Sequence, residues 1–179
     1  MKKGLIGFAA IMLLVAGCSA LNKLTQFRIP YSTNSSIPAT PGGTSNIALD
    51  ITTPKVNTDI NNQLKKNNTD GSLLQSVKLD EFVLNITAPA GKEFNFLSSI
   101  RVFLQAQGLS EVEVAYKNNV AAITGSQLTM DLTGAELKNH LLKDSINFRV
   151  TGVSADSIPV PIDLKADFKV FVDAKILGI

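Results

Sequence analysis

The chain of 179 residues has one cysteine, one histidine and no tryptophan. A single cysteine excludes a disulfide framework. Zinc needs several Cys or His ligands, so a zinc site is excluded as well. Catalysis by a Ser or Cys nucleophile needs a base within hydrogen-bond reach, and the only imidazole is that of His140. No G-x-S-x-G elbow accompanies it. With two tyrosines and no tryptophan, the chain is poor in the rings that stack on sugars. Charge of one sign is also lacking: a formal net charge of +2 is too small for the basic field that nucleic acid requires. Gly residues are scattered, so no phosphate cradle appears. What remains is a chain with 45% hydrophobic and 18% charged residues, a composition that suits one or two globular domains.

The amino-terminal residues carry the most specific signal. Met1-Lys2-Lys3 is a short positive segment, and Gly4 to Val15 (GLIGFAAIMLLV) is an apolar run. It is shorter than the ~20 residues of a bilayer-spanning helix but fits the ~7–15 of a secretory signal. Val15-Ala16-Gly17-Cys18 then resembles the lipobox of bacterial lipoproteins. That resemblance implies cleavage before Cys18 and a diacylglyceryl group on its thiol, with residues 1–17 as signal peptide. Membrane attachment would be through lipid on Cys18, since two or three acyl chains hold a protein stably where one does not. Ser19, rather than Asp, follows the cysteine, which within this family points to the outer membrane. Loss of Lys2 and Lys3 with the signal leaves basic and acidic side chains equal in number, so the basic pI belongs to the export signal.

Residues 18–44 are rich in Ser, Thr, Asn and Pro and are expected to form a lipidated tether. Within it Phe27, Ile29 and Tyr31 alternate as a strand would and are expected to dock on the domain edge. The domain itself is assigned to residues 45–179. Period-2 alternation dominates there: Ile47, Leu49 and Ile51; Val112, Val114 and Tyr116; Leu128, Met130 and Leu132; Ile146, Phe148 and Val150. The longest run is Ile162 to Ile176, apolar on one parity and charged on the other except at Phe171. Between Val77 and Thr87 the alternation changes phase, which predicts a β-bulge near Asp80-Glu81. Thr133-Gly134-Ala135-Glu136 reads as a capping box opening a helix that runs to about Lys143, with His140 near its carbonyl end. A second helix is expected over about Asn57 to Lys66.

These patterns predict a mainly β protein: an antiparallel β-sandwich, Greek-key and immunoglobulin-like in architecture, with one or two short helices. In layout, Val77 to Leu104 and the long last strand resemble small bacterial lipoproteins with β-sandwich bodies, a resemblance that brings no activity with it. Candidate chemistry is sparse. Asn67 to Gly71 falls short of a calcium loop, because Lys66 and Val77 occupy ligand positions, and it is read as a turn. Glu111 and Glu113 share one strand face at a spacing of ~7 Å, as a glycosidase pair could. Asp144-Ser145-Ile146 and Asp156-Ser157-Ile158 resemble the acceptor motif of a periplasmic O-glycosylation system.

No catalytic residue, metal ligand or cofactor is assigned. The leading expectation is a lipid-anchored, non-enzymatic envelope protein with a structural or protein-interaction role and an envelope protein as partner. The alternative is a binding module for envelope glycan or for a hydrophobic ligand held between the sheets, and the third reading is a carboxylate-based hydrolase.

Overall fold

The computed structural model describes residues 26–40 and 46–175. One sheet consists of β1 (Gln26–Ile37), β10 (Ile162–Ala174), β4 (Leu74–Ala88) and β7 (Gln127–Thr129), adjacent in that order. The other consists of β2 (Ala48–Thr52), β9 (Ser145–Ser154), β5 (Leu97–Ala106), β6 (Val112–Asn118) and β8 (Asp131–Leu132), with β3 (Val56–Asn57) also on β9. Every pairing is antiparallel. Counting β2 with β3 and β7 with β8, the eight-strand order is that of a jelly roll, the double Greek-key form of the expected sandwich. It shares with immunoglobulin domains the packing of two antiparallel sheets over one core.

Alternation builds this core. Along β10 every residue of one parity, from Ile162 to Ala174, is buried, and the charged parity faces out. Phe171 lies on the outer face, where the guanidinium of Arg28 sits 5.4 Å from its ring centre. The phase change in β4 is a bulge, as predicted: Lys169 pairs with Glu81 but Val170 pairs with Leu79, leaving Asp80 as the extra residue. Phe82 and Leu84 therefore return to the buried side, at 1% and 2% exposure.

Four expectations require correction. Gln26–Ile37, placed in the tether, form a twelve-residue strand paired along its whole length with β10. The sandwich thus reaches back to Gln26 rather than starting at 45, because Ile29, Thr33 and Ile37 recur every fourth residue on the core side, a sparse pattern masked by intervening Ser and Asn. In β6, Val114 is itself a bulge residue, since Val102 pairs with Ala115 and Phe103 with Glu113. Parity flips there, so Ala115 is buried and Tyr116 turns to the outer face. The Leu128 to Leu132 run is split at Met130, where the chain leaves the first sheet for the second.

The capping box does not form either. Gly134 has φ of +73°, outside the right-handed helical region, so the helix cannot open at Thr133. The helix that forms, α2, spans only Lys138–Leu141. The other, α1, spans Ile60–Lys66 and buries Ile60 and Leu64. Glu136 bonds elsewhere: its carboxylate accepts from Val77 N–H at 2.8 Å, the Ser76 hydroxyl at 2.8 Å and Lys138 N–H at 3.1 Å. Leu137 N–H returns a bond to Val77 O at 2.7 Å, so the segment is clamped to β4. Burial pushes the Glu136 carboxyl up, but these donors more than offset it and hold it below the ordinary carboxylate range.

A depressed carboxyl stabilises the fold above its unfolded value and ceases to do so as pH falls through the folded one. Glu136→Ala should cost ~1–2 kcal/mol at pH 7, less than a fully buried charged bond because the side chain is largely exposed. In urea titrations the gap between wild type and variant should narrow as pH drops below the ordinary Glu value of about 4.3. A gap that stays constant down to acid pH would contradict the clamp.

The break between β2 and β3 is repaired by a side chain. Pro54 cannot donate to the ladder, and Thr53 beside it substitutes for a strand neighbour. Its N–H donates to Phe148 O at 2.8 Å, and its Oγ1 accepts from Phe148 N–H at 3.0 Å. Across the midplane, Phe82 and Phe168 of one sheet meet Phe148 of the other. Phe148 stands edge-on to Phe168 at 4.9 Å and to Phe82 at 5.3 Å between ring centres.

Candidate functional site

The lipobox residues Val15, Ala16 and Gly17, and the lipidation candidate Cys18, lie outside the described residues. The remaining candidates can be placed. His140, in α2, has Nε2 at 2.9 Å from Ser110 O, so Nε2–H donates to that carbonyl and ties α2 to the β5–β6 loop. The imidazole is thereby given to a backbone contact, and among the described residues no nucleophile or carboxylate is bonded to it.

Glu111 and Glu113 are held apart in separate ion pairs. Glu111 Oε1 and Oε2 accept from Arg149 Nη2 at 2.7 Å and Nε at 3.0 Å, a two-pronged contact. Gln105 Nε2 donates to the same Oε2 at 3.1 Å. These two partners, Arg149 first, hold the Glu111 carboxyl below its usual range. Glu113 Oε1 pairs with Arg101 Nη1 at 2.6 Å. A glycosidase acid must stay protonated near neutral pH, and a carboxyl depressed by arginine does the opposite. The geometry therefore reads as cross-strand pairing on a solvated face.

Arg149, which sequence reading passed over, is the hub of that face. Besides Glu111 it reaches Asp50 Oδ2 at 3.1 Å, and its guanidinium lies 5.0 Å from the centre of the Phe103 ring. Its pKa is raised, foremost by the Glu111 bond. Asp50 and the β5–β6 hairpin that carries Phe103 and Glu111 are far from Arg149 in sequence, and only the β2–β9–β5–β6 order brings them together. The sole signal in the sequence was that Arg149 has the exposed parity of its strand.

Asn67 to Gly71 is a turn, as read: Asp70 accepts from Ser72 N–H at 2.8 Å and from the Ser72 hydroxyl at 2.6 Å. Among the described residues no group of three or more His, Cys, Asp or Glu side chains is placed to hold a metal ion. Ser145 opens β9 and is half-buried, while Ser157 is half-buried in the loop before β10. Tyr31, at the β1 edge, donates its hydroxyl to Thr58 O at 2.6 Å. Burial, with Asp59 nearby, pushes its pKa up to about 12.

Between the sheets, the space lined by Ile51, Thr53, Phe82, Leu84, Val150 and Leu164 amounts to about 20 Å³, no more than one water occupies. The larger depressions are open to solvent. One of about 370 Å³ is lined by Gln107, Leu142, Lys143, Asp144 and Ser145. Another, of about 330 Å³, lies over Leu49, Asp50, Arg101, Thr151 and Val153 and is lined by apolar as well as polar groups. Among the described residues no helix is long and apolar enough to cross a membrane.

No protein-family model matches the chain, and no curated protein matches it. Solved structures of similar shape exist at low identity. One is a carbohydrate-binding module of the beta-sandwich superfamily, 10% identical with a TM-score of 0.31, which covers 85% of this chain and 56% of that one. The chain therefore spans little more than half the length of that structure. A second is the BFDV capsid protein, 10% identical with a TM-score of 0.35, covering 82% of this chain and 98% of that one. A third is a Clostridium perfringens module in complex with GalNAc-beta-1,3-galactose, 9% identical with a TM-score of 0.32, covering 82% and 97%. The class defined by the strands themselves is an antiparallel β-sandwich.

Proposed function

We propose that this chain is a lipid-anchored, non-enzymatic protein of the bacterial cell envelope, held by acyl chains on Cys18 and serving a structural or protein-interaction role. The observation that carries the reading is the position of the only cysteine, directly after Val15-Ala16-Gly17 and behind a short apolar export signal. Support comes from the groups capable of chemistry. His140 is bonded to a backbone carbonyl, and Glu111 and Glu113 are each paired with arginine. Ser19 favours the outer membrane as destination.

A second reading, a module for envelope glycan, is favoured by the outer face around Arg149, where Asp50, Gln105, Glu111 and Asn147 offer donors and acceptors beside the Phe103 ring. Sugars are bound by such flat polar arrays when an aromatic face is free to stack. Here the guanidinium already occupies the Phe103 ring, which is why this reading ranks second.

Cross-linking of the intact lipoprotein in living cells, followed by identification of what is attached, separates the two. A reproducible protein adduct is the expected result. Adducts of peptidoglycan or glycan alone would replace the first reading with the second.

A further inference from the structure

β1 begins about eight residues after Cys18, a length of chain that spans at most ~28 Å even when fully extended. β10 runs antiparallel to β1 for 12 residues, so the sandwich is ~40 Å long in the strand direction. An anchor at Cys18 therefore tethers the sandwich by one end: the end where β1 and β4 start and β10 stops.

That end is chemically distinct. Lys65 and Lys66 form the last turn of α1. Lys175 follows β10 and is tied to the same loop, for Thr69 Oγ1 donates to Lys175 O at 2.6 Å and Thr69 N–H to Leu64 O at 3.1 Å. All three lysines are exposed. Among the described residues, none of them has a carboxylate partner. The acids at the same end keep their charge and are bonded by neutral donors, Asp59 by the Asn62 amide, Asp70 by Ser72, Glu136 by Val77 and Ser76, and Asp173 by the Gln26 amide. Asp144 sits across the end, at the start of β9.

The opposite end, where the first sheet stops, is edged by prolines, with Asp163 the charged residue among the strand ends there. Pro38 follows Ile37, which pairs with Ile162 beside Pro161, and Pro89 follows Ala88, which pairs with Asp163. Pro38, Pro89, Ala90, Pro159, Val160 and Pro161 are all exposed there, Val160 at 49%.

We propose that the α1-bearing end is a membrane-docking surface, with Lys65, Lys66 and Lys175 seated against anionic phospholipid headgroups and the proline ledge held outward. This rests on lipidation at Cys18 and adds an orientation to it. Basic side chains near an anionic leaflet reinforce an acyl anchor and lose effect as salt screens them.

The absence of any cysteine but Cys18 makes the test direct, because the acylated Sγ leaves an introduced thiol unique. Gln75→Cys and Val160→Cys place a fluorophore at the two ends of the full lipoprotein, purified from membranes and reconstituted in phosphatidylethanolamine/phosphatidylglycerol vesicles. With an acceptor dye on the headgroups, energy transfer from position 75 should exceed that from position 160 at least threefold. The triple variant Lys65→Glu, Lys66→Glu, Lys175→Glu, checked for an unchanged urea midpoint, should cut the advantage of position 75 by half or more. Equal or reversed transfer from the two ends overturns the orientation, and an unaffected triple variant overturns the headgroup contact. Mass spectrometry of the same preparation reports acylation, so an unmodified Cys18 is recorded separately as failure of the anchor itself.

Discussion

Phe168→Ala should destabilise the protein by ~3–5 kcal/mol, a large part of the ~5–15 kcal/mol by which a typical domain is stable. Phe168 is 2% exposed at the centre of the sandwich. Its ring stacks on Tyr31 at 5.3 Å and on Phe82 at 5.9 Å, and meets Phe148 edge-on at 4.9 Å. Truncation would remove the transfer free energy of the ring and leave a cavity bordered by three aromatic rings, on both sheets, that cannot collapse independently. In urea unfolding the midpoint should fall with the slope unchanged, and the melting temperature should drop by roughly 10 °C or more. Phe171, on the opposite parity of the same strand, provides the control. Its contacts include the Arg28 guanidinium at the surface, so Phe171→Ala should cost ~1 kcal/mol or less. Equal losses at the two positions would contradict the assigned faces of β10.

Cys18→Ala should abolish both lipid labelling and membrane retention. Each buried methylene contributes ~0.8 kcal/mol, and one chain binds only reversibly, whereas two or three do not let go on a cellular timescale. With net charge near zero once the signal is removed, the body has no general electrostatic attraction to replace that anchor, and three lysines at one end hold a protein only weakly on their own. The measurement is uptake of labelled palmitate together with membrane fractionation. The variant should take up no label and leave the membrane fraction. Its urea midpoint should match that of wild type, since the core runs from Ile29 to Ala174. A Cys18→Ala protein that still incorporates palmitate would refute the anchor, whatever the orientation of the sandwich.

Much of this fold was legible because alternation is local. The buried parity of β10, the bulge at Asp80 and the strand status of β5 and β9 follow from which residues recur at a spacing of two. Parity fails as a guide where an interruption leaves no phase break in the sequence. The Val114 bulge was hidden because Val114 and Ala115 are both apolar enough for the core; for β1 the alternation of Phe27, Ile29 and Tyr31 did mark a docked strand, and only its extent to Ile37 was hidden, because Ser and Asn intervene between the buried residues. Glu136 shows a different failure. Its spacing from Thr133 suited a capping box, and only the position of Gly134 on the turn and the nearness of β4 redirected the carboxylate to Val77.

By itself, then, the sequence determined that this is a mainly β protein with few side chains suited to catalysis, and it marked Cys18 as the residue to test for lipid. Those properties depend on residue types and on neighbours in the chain. Tertiary structure alone decided the jelly-roll strand order, the gathering of Asp50, Glu111 and Phe103 around Arg149, and which lysines share an end with the start of β1. Antiparallel pairing joins segments whose separation along the chain has no fixed period, and the choice among partners is made by burying both sheets against one another.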